Sequence, residues 1–206
     1  VVWAPVNCGY KAETADSKGF PYGKLYQWGR KYGQGYSLEY DESTPIIKSG
    51  TVSLSVGQSK DNEGNFYKLY DNPGDWLTYK NDNLWNGGTE DNPLKTEYDP
   101  CPEGWRVPTC KELSALAAHS SSLITLSTQR GYYFSGSMTY TDNAIKVFFP
   151  AAGCRYGFNG GVVDRNSRYY YWTSKPGGKT ATSFQLGEMH DGSRRASGYS
   201  VRCVQV

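Results

Sequence analysis

Apolar positions along the chain fall into short runs, and no stretch keeps one period for long. Val147–Phe149, Tyr169–Trp172 and Tyr199–Val204 are apolar patches rich in β-branched and aromatic residues, which predicts strands. The segments between them are full of Gly, Ser, Arg, Asp and Tyr, and are too long and polar to be minimal turns. A β scaffold with long polar loops is a usual way to display a binding surface. Upstream, VVWAPVNCG at Val1–Gly9 predicts a first strand that brings the N-terminus into a sheet. At Lys24–Tyr32 the spacing of Leu25, Trp28 and Tyr32 predicts a short helix with one apolar face, Trp28 being a core anchor. Gly33 and Gly35 would end it through positive φ. TVSLSV at Thr51–Val56 alternates, which would turn Val52, Leu54 and Val56 toward a core. Ser127–Ser137 and Ala144–Phe149 read as β-rich segments.

The clearest helix follows Cys101–Pro108. Thr109 is placed as its N-cap and Glu112 stands three residues later, the pattern of a capping box. The helix should start at about Cys110, bury Leu113, Leu116 and Ala117, and end near His119–Ser122. Arg106 needs a partner that the sequence does not name. The region Gln58–Asp99 is dense in Asp, Asn, Gly and Pro, with Trp76 and Trp85 embedded. It reads as an irregular insert held by buried aromatics. Its DNPGDW turn at Asp71–Trp76 uses Asx side chains and the fixed φ of proline.

Composition sharpens this picture. A length of 206 residues suits one domain, 1–206, with a core of useful size. Mean hydropathy of -0.67 indicates a soluble chain, and no apolar run approaches the ~20 residues of a membrane helix. The net charge of +2 contains no basic block, so nucleic acid is not an expected partner. Aromatics reach 15%, with 18 tyrosines. Tyrosine suits both half-buried strands and contact surfaces, where it offers large area with few rotors. The chain begins at Val1 without a signal peptide and is expected to be a processed or truncated part of a longer protein.

FFPAAGCR at Phe148–Arg155, YYWTS at Tyr170–Ser174, the A..F.L pattern from Ala181, and GYSVRCV at Gly198–Val204 resemble the C-terminal half of the Fibrobacter succinogenes major paralogous domain. DPCPEGWRVPT at Asp99–Thr109 and KLYQWGRKYGQG at Lys24–Gly35 resemble the same family, in the expected order. The resemblance implies an α+β, C-type-lectin-like fold: small antiparallel sheets, about two helices and long irregular loops. It implies kinship with the formylglycine-generating-enzyme fold and a place among surface proteins of Bacteroidetes-type bacteria, so an extracellular or cell-surface location. Among Cys8, Cys101, Cys110, Cys154 and Cys203, the family motifs contain Cys101 and Cys203, and the resemblance favours that pair for a disulfide. Cys154 stands where the family more often has tyrosine.

Signals for catalysis are absent. Only His119 and His190 are present, and no G-x-S-x-G element supports a nucleophile triad. GGKT at Gly177–Thr180 imitates a phosphate loop, but Thr173 stands where the first glycine belongs. No C-x-x-C pair suggests zinc. Asp61–Gly64 does not continue as an EF-hand, and the EPN, QPD and WND signatures of calcium-dependent lectins are missing. Turn chemistry accounts for the Asp and Asn density as well as calcium does. The oxidase relatives use copper and a cysteine pair; Cys154 and Cys203 are widely separated, and that activity is not expected here.

No cofactor is therefore expected. The leading expectation is a non-enzymatic module that binds a protein or glycan at a cell or host surface. Its face would be built from Tyr156, Asp164, Asn166, Arg168, Tyr169, Tyr170, His190, Asp191, Ser193, Arg194 and Ser197, with Arg195 as a further guanidinium donor. The alternatives are an oxidase or hydrolase on the same scaffold, and a structural or pilus-associated surface domain. Some proteins of this lectin-like group are diversified by retroelements that randomise template adenines. Asn codons so treated can yield Tyr, Ser, Arg, His, Asp, Gly, Thr or Asn, as at Asp164, Asn166, Arg168, Tyr169, Tyr170, His190, Asp191, Ser193, Arg194 and Ser197. They cannot yield Trp, Lys, Gln, Glu or Met, as at Trp172, Lys175, Lys179, Gln185, Glu188 and Met189. Diversification requires the reachable residues to share one exposed face, with Trp172, Phe184, Val201 and Cys203 beneath it.

Overall fold

The computed structural model describes residues 1–12, 21–35, 46–70, 74–126, 129–135 and 146–206. In chain order these residues form β1 (Tyr26–Gln27), β2 (Ile46–Ser49), α1 (Leu54–Gly57), β3 (Asn65–Lys68), β4 (Trp105–Arg106) and α2 (Cys110–Ala117). Then come β5 (Ser120–Leu126), β6 (Gln129–Ser135), β7 (Lys146–Pro150), β8 (Cys154–Arg155) and β9 (Val162–Val163). The chain finishes with β10 (Tyr170–Gly177), β11 (Thr180–Gln185), β12 (Glu188–Arg194), β13 (Gly198–Tyr199) and β14 (Val204–Gln205). The class is α+β, with small sheets and few helices. The sheets are β1-β13-β8-β9, β10-β11-β12, β5-β6-β7, β14-β4 and β2-β3. Of these pairings only β2 with β3 is parallel.

The β10-β11-β12 sheet divides the interior. On one side α2 buries Leu113 and Leu116 against Phe134, Phe149, Tyr169, Tyr171 and Phe184. On the other side Trp172 and Tyr199 stack at 4.3 Å and join Trp28, Trp76, Trp85 and Val201. Trp172, Phe184, Val201 and Cys203 are all buried.

Much of the core is irregular backbone, whose polar groups need partners. Four buried tryptophans supply them. The indole N–H groups of Trp28, Trp76, Trp85 and Trp172 donate to the carbonyls of Thr173 (2.9 Å), Trp28 (2.7 Å), Arg30 (3.2 Å) and Tyr26 (2.7 Å). Buried arginines do the same. Arg202 donates to Asn7 Oδ1, Ala4 O and Phe148 O, with its guanidinium over the Phe149 ring. This explains how the Gln58–Asp99 insert holds shape with little regular structure; residues 71–73 of its turn lie outside the described residues.

Helix α2 matches its sequence signature. Thr109 Oγ1 accepts from the Glu112 N–H (3.2 Å), and Glu112 Oε2 accepts from the Thr109 N–H (2.8 Å). The partner of Arg106 is also Glu112, through two bonds of 2.8 and 2.6 Å. Burial alone would raise the Glu112 carboxyl, but Arg106 and Thr109 outweigh it and hold the group below its ordinary value. The helix ends at Ala117, a little before the expected His119–Ser122.

Four expectations need correction. Lys24–Tyr32 is not a helix. Leu25, Tyr26, Gln27, Trp28 and Arg30 are all buried, so the segment has no solvent face for a helical stripe to spare. Leu25 instead pairs with Gln34, and the Gln27 amide bridges Tyr67 and Ala196. Gly33 serves by its size: a Cβ there would sit 2.7 Å from the Tyr26 ring. Thr51–Val56 is not a strand either. Ser53 caps the one-turn α1 by accepting from the Val56 N–H, and only Val52 bridges, to Leu77. Val1–Gly9 joins the C-terminal segment sparsely, through one bridge between Trp3 and Val204 and bonds from Ala4 to Cys203 and from Cys8 to Val201. Tyr199–Val204 splits between β13 and β14, because Tyr170 and Trp172 take up the main-chain groups of Ser200. Of Ser127–Ser137 and Ala144–Phe149, residues 127–128, 136–137 and 144–145 lie outside the described residues; the remainder is β6 and β7.

The Cys101–Cys203 disulfide ties the loop before α2 to the approach to β14, with the Cα atoms 5.9 Å apart. Cys8, Cys110 and Cys154 are free thiols.

Candidate functional site

The loop after β8 is the first wall of a groove. Tyr156 N donates to Gly161 O and Gly160 N to Tyr156 O, which closes residues 156–161 into a tight hairpin before β9. Arg155, buried below, donates to Gly160 O (2.6 Å) and Gly35 O (3.1 Å). The turn seats itself on the 196–197 segment because residue 157 is glycine. A Cβ there would meet Ala196 C and Ser197 N at 2.9 Å. Its two aromatic neighbours are thereby turned outward: Tyr156 is 39% and Phe158 38% exposed, with ring centroids 5.3 Å apart.

The opposite wall is β12. Its pairing with β11 slips between Ala181 and Ser183, so Asp191 and Gly192 together face Thr182 as a bulge. Between the walls lies an open groove of about 500 Å³. Its aromatic side is Tyr156, Phe158 and Tyr199; its polar side includes Gln185, His190, Asp191, Ser193, Arg194 and Ser197. Ser193 Oγ lies 2.7 Å from Ser183 Oγ, and Gln185 Nε2 donates to both hydroxyls at 3.0 and 2.7 Å. Burial pushes the Tyr199 phenol up to about 12, against the opposing effect of hydrogen bonds with Ser193 and Ser197. It therefore stays a neutral donor. The Asp191 carboxyl accepts from Thr182 Oγ1 (2.7 Å) and faces Lys175 Nζ (3.5 Å), which hold it below its ordinary value and ionised. Arg194 reaches Tyr70 O at 3.3 Å.

Six of the expected face residues line this groove: Tyr156, His190, Asp191, Ser193, Arg194 and Ser197. The other five do not. Asp164 and Asn166 sit at φ 62° and 57° in the turn between β9 and β10, a backbone region short polar side chains tolerate best. Their side chains are engaged within the fold, Asp164 Oδ2 by Tyr170 OH and Asn166 Oδ1 by Tyr22 OH, each at 2.6 Å. Arg168 is exposed on the same turn, beside Tyr170. Tyr170 is buried, its ring against Tyr199 at 5.2 Å, so it supports the groove from beneath.

Tyr170, Ser193 and Ser197 are buried as well, so the reachable residues do not share one exposed face, and Tyr169 departs furthest from it. It is 0% exposed and points to the α2 side of the sheet, against Phe184 and Tyr132. Neighbouring strand residues face opposite ways, so Tyr169 and Tyr170 cannot share a surface. Arg195 is likewise interior, with bonds to Thr180 O, Asn81 O, Asp75 and Asp82 and its guanidinium 4.2 Å from the Trp28 ring centre. Phe158, Gln185 and Tyr199 were missing from the expected set. Phe158 had a signal: an aromatic in a YGFNGG loop has no periodic partner to bury it.

The chain matches no protein-family model, no curated protein and no solved structure. The groove itself therefore carries the functional argument.

Proposed function

We propose that this chain is a non-enzymatic ligand-binding module of a cell or host surface, built on a C-type-lectin-like scaffold of the Fibrobacter succinogenes major paralogous type. It binds a glycan or protein ligand in the groove between the Tyr156–Phe158 turn and β12. The observation that carries this reading is the pairing of two outward aromatic rings with a floor of hydroxyls and an amide. Rings stack on apolar ligand faces, and hydroxyl, amide and guanidinium groups fix the polar ones. Tyrosine, serine and arginine are the residues of adaptable binding surfaces.

Diversification fits part of this groove. His190, Asp191 and Arg194 border open space, while Tyr169 is fixed by the core. An adjacent reverse transcriptase and a near-copy template at the parent locus would support a retroelement origin; their absence would remove it.

The test is a glycan array run beside a pull-down from bacterial and host surface extracts, using wild type and a Tyr156→Ala/Phe158→Ala variant. Partners retained by wild type should be lost by the variant at unchanged thermal midpoint. A variant that keeps those partners would place the site elsewhere.

A further inference from the structure

Away from the groove, three sulfurs meet where the two chain ends come together. The Sγ atoms of Cys8, Cys101 and Cys203 lie within 4.8 Å of one another, and all three residues are buried. Two of them form the disulfide and the third is a thiol. Cys8 is held in place by its main chain: its N–H donates to Val201 O at 2.8 Å, and its carbonyl accepts from Lys24 N at 3.0 Å. Its Sγ donates to Pro100 O and accepts from Tyr26 OH, both at 3.2 Å. Pro100 directly precedes Cys101, so the thiol is anchored to the same loop that carries the disulfide.

We propose that these sulfurs form a thiol–disulfide exchange centre with Cys8 as its attacking thiol. The Cys8 thiolate attacks one sulfur of the Cys101–Cys203 bond. A new Cys8 disulfide forms, the old bond breaks, and the displaced sulfur leaves as a thiolate that takes up the proton Cys8 released. There is no net oxidation, so no outside oxidant is needed. The chain thus has alternative covalent ties among its N-terminal segment, the loop before α2 and its C-terminal segment.

The surroundings make this step dependent on pH. The groups that act on Cys8 are Tyr26, Asp99, Lys95 and Lys24. Burial pushes the thiol up to about 11, with Asp99 adding to the rise and Tyr26, Lys95 and Lys24 opposing it. Only the thiolate attacks, so at neutral pH the Cys101–Cys203 connectivity is held, and exchange accelerates as pH climbs.

Peptide mapping under non-reducing conditions tests this directly. Folded wild type is incubated between about pH 7 and pH 9.5, acid-quenched, digested and analysed by mass spectrometry, with near-UV circular dichroism recorded at each pH. Cys8-linked disulfide peptides should appear at an initial rate that rises about tenfold per pH unit. Cys110 and Cys154 should stay unlinked. In parallel, after equilibration with oxidised glutathione as the two-electron acceptor, Cys101→Ser should contain a Cys8–Cys203 bond and Cys203→Ser a Cys8–Cys101 bond. Should these variants fail to fold, wild type decides alone. Folded wild type that keeps only Cys101–Cys203 throughout, or that links Cys110 and Cys154 as readily as Cys8, overturns the proposal.

Discussion

Arg195 sits wholly inside the protein, yet in the sequence it is one of two adjacent arginines in a polar loop. Nothing local separates it from Arg194. Its carboxylate partners, Asp75 and Asp82, are 120 and 113 residues away, and Trp28 covers its guanidinium. Replacing Arg195 by Met removes that cation but leaves buried Asp75 without it. The expected loss is about 3–5 kcal/mol in urea unfolding, as when one partner of a buried pair is removed. A loss under ~1 kcal/mol would mean that water or Lys179 takes its place. Cys154 gives a second residue-level test. Burial pushes its thiol up to about 12, with Asp164 adding to the rise and Arg168 opposing it. An unfolded chain releases that proton near the ordinary thiol value of about 8.5. Stability from Cys154 is therefore complete below that value and is lost as pH rises toward 12. Stability measured between about pH 8 and 10.5 should fall more steeply in wild type than in Cys154→Ala; parallel curves would contradict the assignment.

At the scale of elements, α2 shows what local chemistry can specify. Thr109 and Glu112 are three residues apart, so the cap and its reciprocal bond form without help from distant parts. Thr109→Ala should cost about 1 kcal/mol in denaturant midpoint analysis, and no change would remove the capping box from the account. The segment Lys24–Tyr32 shows the opposite case. Its apolar spacing suits a helix, but tertiary bonds from Gln27 to β3 and to the turn after β12, with the burial of Leu25 to Trp28 and Arg30, impose extended and turn backbone. Thr51–Val56 was misleading for another reason. Its serines look like the outer face of a strand, whereas Ser53 acts as a helix cap, a role the same residue type fills equally well.

Across the whole molecule, the C-terminal half was legible in part: the Tyr169–Trp172 patch marks the start of β10, whereas β11 and β12 lie in stretches that read as polar loops, because TATSFQ and EMHDGSR carry few apolar residues and gain their strand form from pairing with each other and with β10. The groove was legible in part. His190 to Ser197 is one continuous stretch, β12 and the turn after it, so its side chains were easy to associate even though the stretch read as a loop. Tyr199 and Gln185 were not, because their exposure depends on where the Tyr156–Phe158 turn lands. The landing is set by a glycine contact and by the long reach of Arg155 to Gly35, neither of which leaves a periodic trace. The disulfide closes a loop across 102 residues of sequence. In the chain-entropy view a loop that long restricts the unfolded chain by several kcal/mol, on the order of 4–5.

The groove is the claim on which the rest depends. The most direct measurement compares ligand retention by wild type, by Tyr156→Ala/Phe158→Ala, and by Tyr10→Ala on a separate cleft near the N-terminus. Glycan arrays and surface-extract pull-downs provide the ligands, and thermal melts confirm folding. The account predicts that the groove variant loses at least about tenfold in retention, corresponding to roughly 1.4 kcal/mol of binding energy, while Tyr10→Ala binds as wild type does. Equal retention by all three proteins, or loss confined to Tyr10→Ala, would contradict it.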